Sequence, residues 1–283
     1  MKRMMSLDQM NSFDKISEEY REKSLVQQKA AVKLFDLLKI GGSDDIIDIA
    51  CGPGHITNWL SKATSGKVTG IDISEGMIKQ AKALYPEIEF RLTAIEDLDC
   101  NDKFDIAFCN SALQWFSDPD KAIAAVFNSL KKSGKLGLAC PATPNWSPWF
   151  GRIISKVAEG KEIKPTFSHW KNPWFHLPTE NDYRLFFEKH GFATIFIGID
   201  HEQTDYSVEE AFNIYLSGAA NGYTGKKYYD IEIGGDYIAA FNDSVKEEIN
   251  WQSKDRRIMV DFNRLYYIGK KENYRVDRPE GKS

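Results

Sequence analysis

The chain has 283 residues, with 37 Lys and Arg against 41 Asp and Glu and a formal net charge of −4, room for one large α/β domain with insertions or two small ones and too acidic for a dedicated nucleic-acid binder. Its four cysteines, Cys51, Cys100, Cys109 and Cys140, form no CxxC pair and no histidine spacing accompanies them, so no metal site is expected. No apolar run reaches the length of a membrane span, and the opening MKRMMSLDQM lacks the apolar segment of a secretory signal, so the expected compartment is the reducing cytoplasm.

In chain order, residues 13–40 predict a helix, with Leu25, Val32, Leu34, Phe35, Leu37 and Leu38 on one face and Gly41-Gly42 at its end. Ile46 to Ala50 is too short for a helix and is bounded by Gly52-Pro53-Gly54, so it reads as a buried parallel strand. A helix follows to about Lys62, and Val68 to Ile71 is a second strand. Ser74 caps a helix carrying Met77, Ile78, Ala81 and Leu84. Ile88 to Leu92 and Phe104 to Cys109 are strands three and four. Asp118 as N-cap and Pro119 at the first helical position open a helix with Ile123, Val126 and Leu130, expected to stop at Gly134. Lys135 to Cys140 is the fifth strand, and the alternation implies a parallel sheet with helices on both faces.

After Pro141 the texture changes. Residues 141–178 hold four of the seven tryptophans, Trp146, Trp149, Trp170 and Trp174, and six prolines, and read as a cap or lid. The capping box Thr179-x-x-Asp182 then opens a helix that ends at Gly191, and Phe192 to Ile199 is a strand. Ser207-x-x-Glu210 caps another helix, residues 236–252 are helical, Ile258 to Ile268 is a long last strand, and a charged tail starts at Lys270.

The chemistry centres on Asp48-Ile49-Ala50-Cys51-Gly52-Pro53-Gly54, at the end of the first strand. Glycines there let a ligand approach the backbone, and the next helix presents free N–H groups. A dinucleotide site would place its third glycine at Thr57, and Asp48 would repel a pyrophosphate. A ligand bearing an ammonium and a sulfonium suits Asp48 better. Asp72, ending the second strand, is placed to accept from both hydroxyls of a ribose.

These segments resemble the class I S-adenosylmethionine-dependent methyltransferases (type 11). The matching runs are DIACGPG (48–54), GIDISEGMI (70–78), TAIEDL (93–98), FDIAFCNSALQWF (104–116) and GKLGLACP (134–141). SALQWF, the amino-terminal Phe13, Tyr20 and Gln27-Gln28, and FNIYLSGAANG (212–222) are similar to the branch holding the trans-aconitate and malonyl-acyl-carrier-protein methyltransferases, which esterify carboxylates.

The resemblance implies an α/β fold: doubly wound, Rossmann-like, a mostly parallel seven-stranded sheet with an antiparallel last strand and a helical cap. The implied division is an amino-terminal helical lid (1–40), an S-adenosylmethionine-binding core (41–140), a cap and substrate region interleaved with the sheet (141–235), a helix and strand completing the core (236–269) and a tail (270–283). Asp48, Ala50, Gly52 and Gly54 would hold the methionine part, Asp72 the ribose, and Ile73 and Met77 the adenine. Ile95 would offer its N–H to the ring, with Asn110 beside the methionyl group. Ala50 replaces the usual first glycine, a small change, and Ala94 replaces an acid that binds the adenine amino group, a role open to Thr93 or Glu96. Gln114, Trp115 and Tyr20 are the candidate catalytic residues, and Arg152 and Trp149 the candidate substrate-binding ones. Trp115 and Tyr20 also read as packing aromatics, Arg152 as a surface charge, and His169 and His176 as packing residues. The expected acceptor is a small or carrier-protein-bound acid. The competing readings are a natural-product O-, N- or C-methyltransferase and an inactive S-adenosylmethionine-binding module.

Overall fold

Ile46–Ile49 (β1) and Val68–Asp72 (β2) are buried at every position, as central strands of a parallel sheet must be. The computed structural model describes residues 25–272. Among them Glu89–Leu92 (β3), Phe104–Asn110 (β4), Leu130–Pro141 (β5), Phe192–Ser207 (β6) and Arg257–Lys271 (β7) complete one sheet in the order β3-β2-β1-β4-β5-β7-β6. β1 pairs in parallel with both β2 and β4, and β4 with β5. β7 alone runs against its neighbours β5 and β6. The doubly wound sheet with an antiparallel last strand is therefore as expected.

Helices cover both faces. On one, Pro119–Ser129 (α4) and Glu180–Glu188 (α7) pack Ile123, Val126, Tyr183 and Phe187 on Ile47, Leu138 and Tyr267. On the other, Leu25–Leu38 (α1) and His55–Ala63 (α2) pack Leu34, Leu38 and Trp59 on Ile46, Phe108 and Tyr266. Glu75–Leu84 (α3) begins at Ser74, whose hydroxyl accepts from the Met77 N–H.

β6 and β7 outrun the rest of the sheet. β5 stops pairing with β7 at Pro141–Arg264, whereas the β6–β7 ladder continues to Ser207–Arg257. That projecting ribbon carries its own apolar face of Ile258, Val260 and Phe262. Pro148–Ala158 (α5), Val208–Ser217 (α8) and Gly235–Gln252 (α10) close over it, with Lys164–Phe167 (α6) and Ala220–Thr224 (α9) completing the helical cap.

Four boundaries differ from the sequence expectation. α4 ends at Ser129 because Leu130 is already extended, paired with Phe104 ahead of a register shift, so β5 begins before Gly134. α7 ends at Glu188 rather than running to Gly191, which has φ +92°. β6 runs past Ile199 to Ser207 because β7 partners every added residue. α5 lies in a stretch expected to be irregular, although Ser147 caps it and Pro148 opens it as Asp118 and Pro119 do for α4. Tyr20 and the tail from residue 273 lie outside the described residues.

α1 approaches β5 closely at Gly137. A methyl group there would overlap all three outer carbons of Leu38, which is itself fully buried. Gly137→Ala is expected to lower stability by about 1–3 kcal/mol, read by urea unfolding; an unchanged midpoint would show that α1 does not seat here.

Candidate active site

The order of the sheet reverses between β1 and β4, so the connections leaving their carboxyl ends part and open a crevice. The connection after β1 climbs through a left-handed backbone at Ala50 (φ +57°), Gly52 (φ +56°) and Gly54 (φ +85°). Gly54 is also a packing requirement, since a side chain there would strike Phe90 and Ala81. Ala50 has no such exemption: a left-handed alanine costs about 1–2 kcal/mol. Its replacement of glycine, expected to be innocuous, is strained.

Asp72 fixes this loop. Its Oδ2 accepts from the Gly52 N–H at 2.9 Å and its Oδ1 from the Ser74 N–H at 2.8 Å. Each oxygen keeps a further lone pair for a ligand hydroxyl. Asp48 lies beneath the loop, only 2% exposed, with Oδ2 accepting from the Thr57 hydroxyl at 2.7 Å. Burial pushes its carboxyl up to about 7 against that hydrogen bond. A nearby cation would stabilise the ionised form.

Beyond β2, Ile73 is 75% and Met77 42% exposed, two apolar side chains presented to solvent at the start of α3. Ile95 is buried at the head of a 3-10 turn, with Ala94 as its N-cap. One oxygen of Glu96 is engaged: its Oε1 accepts from the Ser117 N–H and hydroxyl and the Asp118 N–H.

A cavity of about 400 Å³ opens at the end of β4, lined by Ala50, Cys51, Gly52, Asn110, Gln114 and Trp115 among others. Asn110 donates from Nδ2 to the Gln27 carbonyl at 2.9 Å, which brings α1 to the cavity wall. Gln114 donates from Nε2 to the Ser111 carbonyl at 2.9 Å. The carbonyl oxygens of both side chains, Asn110 Oδ1 and Gln114 Oε1, are buried without a partner. Trp115 stands edge-on to Trp174, ring centroids 5.8 Å apart.

The structure does not bring Trp149 and Arg152 to this cavity. α5 turns Trp149, Phe150, Ile153 and Val157 inward against the cap core, which leaves Arg152 exposed on its outer side.

Other residues, not named from the sequence as site candidates, do line it. Among them are Gln27, Trp146, Trp174, Asn221 and Arg264. His176, expected to be a packing residue, is there too. The Phe175 N–H donates to the Gln114 carbonyl and carries His176 in. Its Nε2 is buried without a partner, and burial lowers its pKa to about 4.

The family described as "Methyltransferase domain" matches residues 46–134, from β1 to the middle of β5. The region from β1 into β5 is thus similar to a methyltransferase domain, as the class I resemblance implied. The malonyl-acyl-carrier-protein O-methyltransferase of Acetivibrio thermocellus is 33% identical over 132 residues, 45% of this chain and 47% of that protein. The trans-aconitate 2-methyltransferase of Variovorax paradoxus is 30% identical over 124 residues, 43% of this chain and 48% of that protein. The chain thus spans about half the length of the curated relatives it matches. The YcgJ protein of Bacillus subtilis shares the fold at a TM-score of 0.59 and 15% identity, over 87% of this chain and 99% of that one.

The methyltransferase domain has the features an S-adenosylmethionine site requires. The left-handed loop leaves space above Gly52, where a side chain would meet nothing within 4 Å. Asp72 has spare acceptor capacity, Ile73 and Met77 offer an apolar surface, and the unpartnered Asn110 Oδ1 waits for a donor. Asp72→Ala is expected to weaken S-adenosylhomocysteine binding by about 1.5–3 kcal/mol in calorimetry. Unchanged affinity would remove Asp72 from the site.

Proposed function

We propose that the chain transfers the methyl group of S-adenosylmethionine to the carboxylate of a small acid or a carrier-bound acyl group. The observation that carries this reading is the lack of a competent base around the cavity. Among the described lining residues there is no Asp, Glu or Lys, and the one histidine, His176, is held near a pKa of about 4 by burial. A phenol or ammonium acceptor must lose a proton before it can attack. A carboxylic acid, with an unperturbed pKa of about 4, is already ionised at neutral pH.

In this reading Asp48 and the backbone at Ala50, Gly52 and Gly54 hold the methionine part, and Asp72 holds the ribose. Ile73 and Met77 flank the adenine, with the Ala94–Ile95 backbone at its edge and Asn110 on the methionyl side. When bound, S-adenosylmethionine supplies a methyl group already activated by the sulfonium charge. Gln114 and Trp115, on the 3-10 turn that follows β4, align the acceptor oxygen with that methyl group and keep water out. Alignment of this kind contributes about 7–11 kcal/mol. The two curated methyltransferases described above bear names that specify acidic acceptors, which supports the same reading.

The maximal rate is expected to stay nearly flat between about pH 6.5 and 9, above the acceptor's pKa. No single His→Ala change among His55, His169, His176, His190 and His201 is expected to abolish turnover. Steady-state kinetics across that range checks both statements. A steep rise controlled by the chemical step, with one histidine indispensable, would overturn the carboxylate reading in favour of a natural-product phenol or amine.

A further inference from the structure

Among the described residues, Arg264 is the one buried charge that neither the fold nor the proposed chemistry explains. It lies on β7, 4% exposed, between Phe262 of the cap core and Tyr266 of the sheet core on the same face of the strand. Among the described residues its only hydrogen bond runs from Nη1 to the Ser111 hydroxyl at 3.1 Å, and its Nε has no partner. No carboxylate of the described residues lies within ion-pair distance of it. The nearest by register, Asp200 across the ladder on β6, is taken by Lys33. A buried guanidinium left in this state is costly unless an anion joins it.

The cavity around it is equally specific. Arg264 is the only Arg or Lys among the described lining residues, and no Asp or Glu faces it. Trp115, Trp146, Trp174, Ile214 and Phe262 form an apolar, aromatic part of the wall, and the polar side chains beside them, such as Asn110, Gln114 and Asn221, are uncharged. Trp174 makes edge contacts with Trp115 and Trp146 at 5.8 and 6.4 Å between centroids, and Trp146 stacks on Phe262 at 6.3 Å. One positive charge beside such a wall matches one negative charge on an apolar body. A di- or tricarboxylate would find no second cation among the described lining residues for its remaining charges.

We infer that Arg264 anchors the carboxylate of the methyl acceptor, and that the acceptor is a monoanionic acid with an apolar body. This rests on the carboxylate reading above. Arg264 is reached through Ser111, at the carboxyl end of β4 next to Asn110 and close to Gln114, so an acid held there lies beside the aligning residues. A planar guanidinium can hold both oxygens of a carboxylate in a fixed plane. Esterification removes the charge that holds the acceptor, which favours release of the neutral ester.

The test uses the full chain saturated with S-adenosylhomocysteine and a panel of apolar monoacids, octanoate and 3-phenylpropionate among them, with their primary amides and with trans-aconitate. Binding is read by calorimetry. At least one monoacid is expected to bind roughly 10- to 100-fold more tightly than its own amide, and more tightly than trans-aconitate. Arg264→Gln is expected to erase that preference without changing S-adenosylhomocysteine affinity, and Arg264→Lys to restore part of it. The acid-against-amide comparison needs only the unaltered protein, so it decides the matter even if Arg264→Gln does not fold. The inference is overturned if no monoacid in the panel binds, if amides bind as well as acids, or if trans-aconitate binds best. It is overturned too if a folded Arg264→Gln protein binds the acid normally. Acids methylated without dependence on Arg264 would sink this inference alone; methyl transfer only to neutral phenols or amines would sink the carboxylate reading with it.

Discussion

Everything at the site depends on how the backbone leaves β1. The strand is hydrogen-bonded on both sides, to β2 and β4, so its connection can turn neither way within the sheet and must rise out of its end. It does so through a left-handed backbone at Ala50, Gly52 and Gly54, and the hydrogen bond from Gly52 to Asp72 ties the raised loop to the end of β2. One carboxylate therefore shapes the loop and holds it against the end of β2. Asp48, directly below, pairs with Thr57 from the first turns of α2, so the same few residues set the electrostatics from underneath.

A second constraint comes from the length of β6 and β7. Their ribbon projects past the other strands, and its apolar face has to be covered by helices drawn from before β6 and from the connection between β6 and β7. Arg264 stands where the sheet core gives way to that ribbon core, and the cavity opens at the same junction. The cap is thus a consequence of the strand length, and the aromatic wall of the cavity is the side of the cap that faces the crevice.

The cofactor half of the site was legible in the sequence because its physics is local. A short apolar strand, a glycine turn, an acid and a capped helix each carry a signature within a few residues. The acceptor half was not. Arg264 sits in Leu265-Tyr266-Tyr267 context with Asp261 and Asn263 just before it, and nothing nearby in the chain says which face of β7 is covered, because two of the helices that cover it, α5 and α8, come from positions distant in sequence. Arg152 drew attention by standing next to Trp149 and Phe150, yet it falls just outside the helix face that Trp149, Phe150, Ile153, Ile154 and Val157 bury. Thr57 was read only as the position where a dinucleotide site would have its third glycine, whereas its hydroxyl is the partner of Asp48. α5 carried a capping residue followed by proline, as α4 does, but was hidden among tryptophans and prolines.

The central claim is that the methyl group ends on a carboxylate oxygen. It is tested most directly by incubating the protein with S-adenosylmethionine labelled with carbon-13 in the methyl group and a mixture of acids, phenols and amines, then following the label by nuclear magnetic resonance. The account predicts that the labelled carbon appears as a methyl ester, with S-adenosylhomocysteine released in equal amount. Label on nitrogen, on carbon or on a phenolic oxygen, with no ester formed, would contradict it.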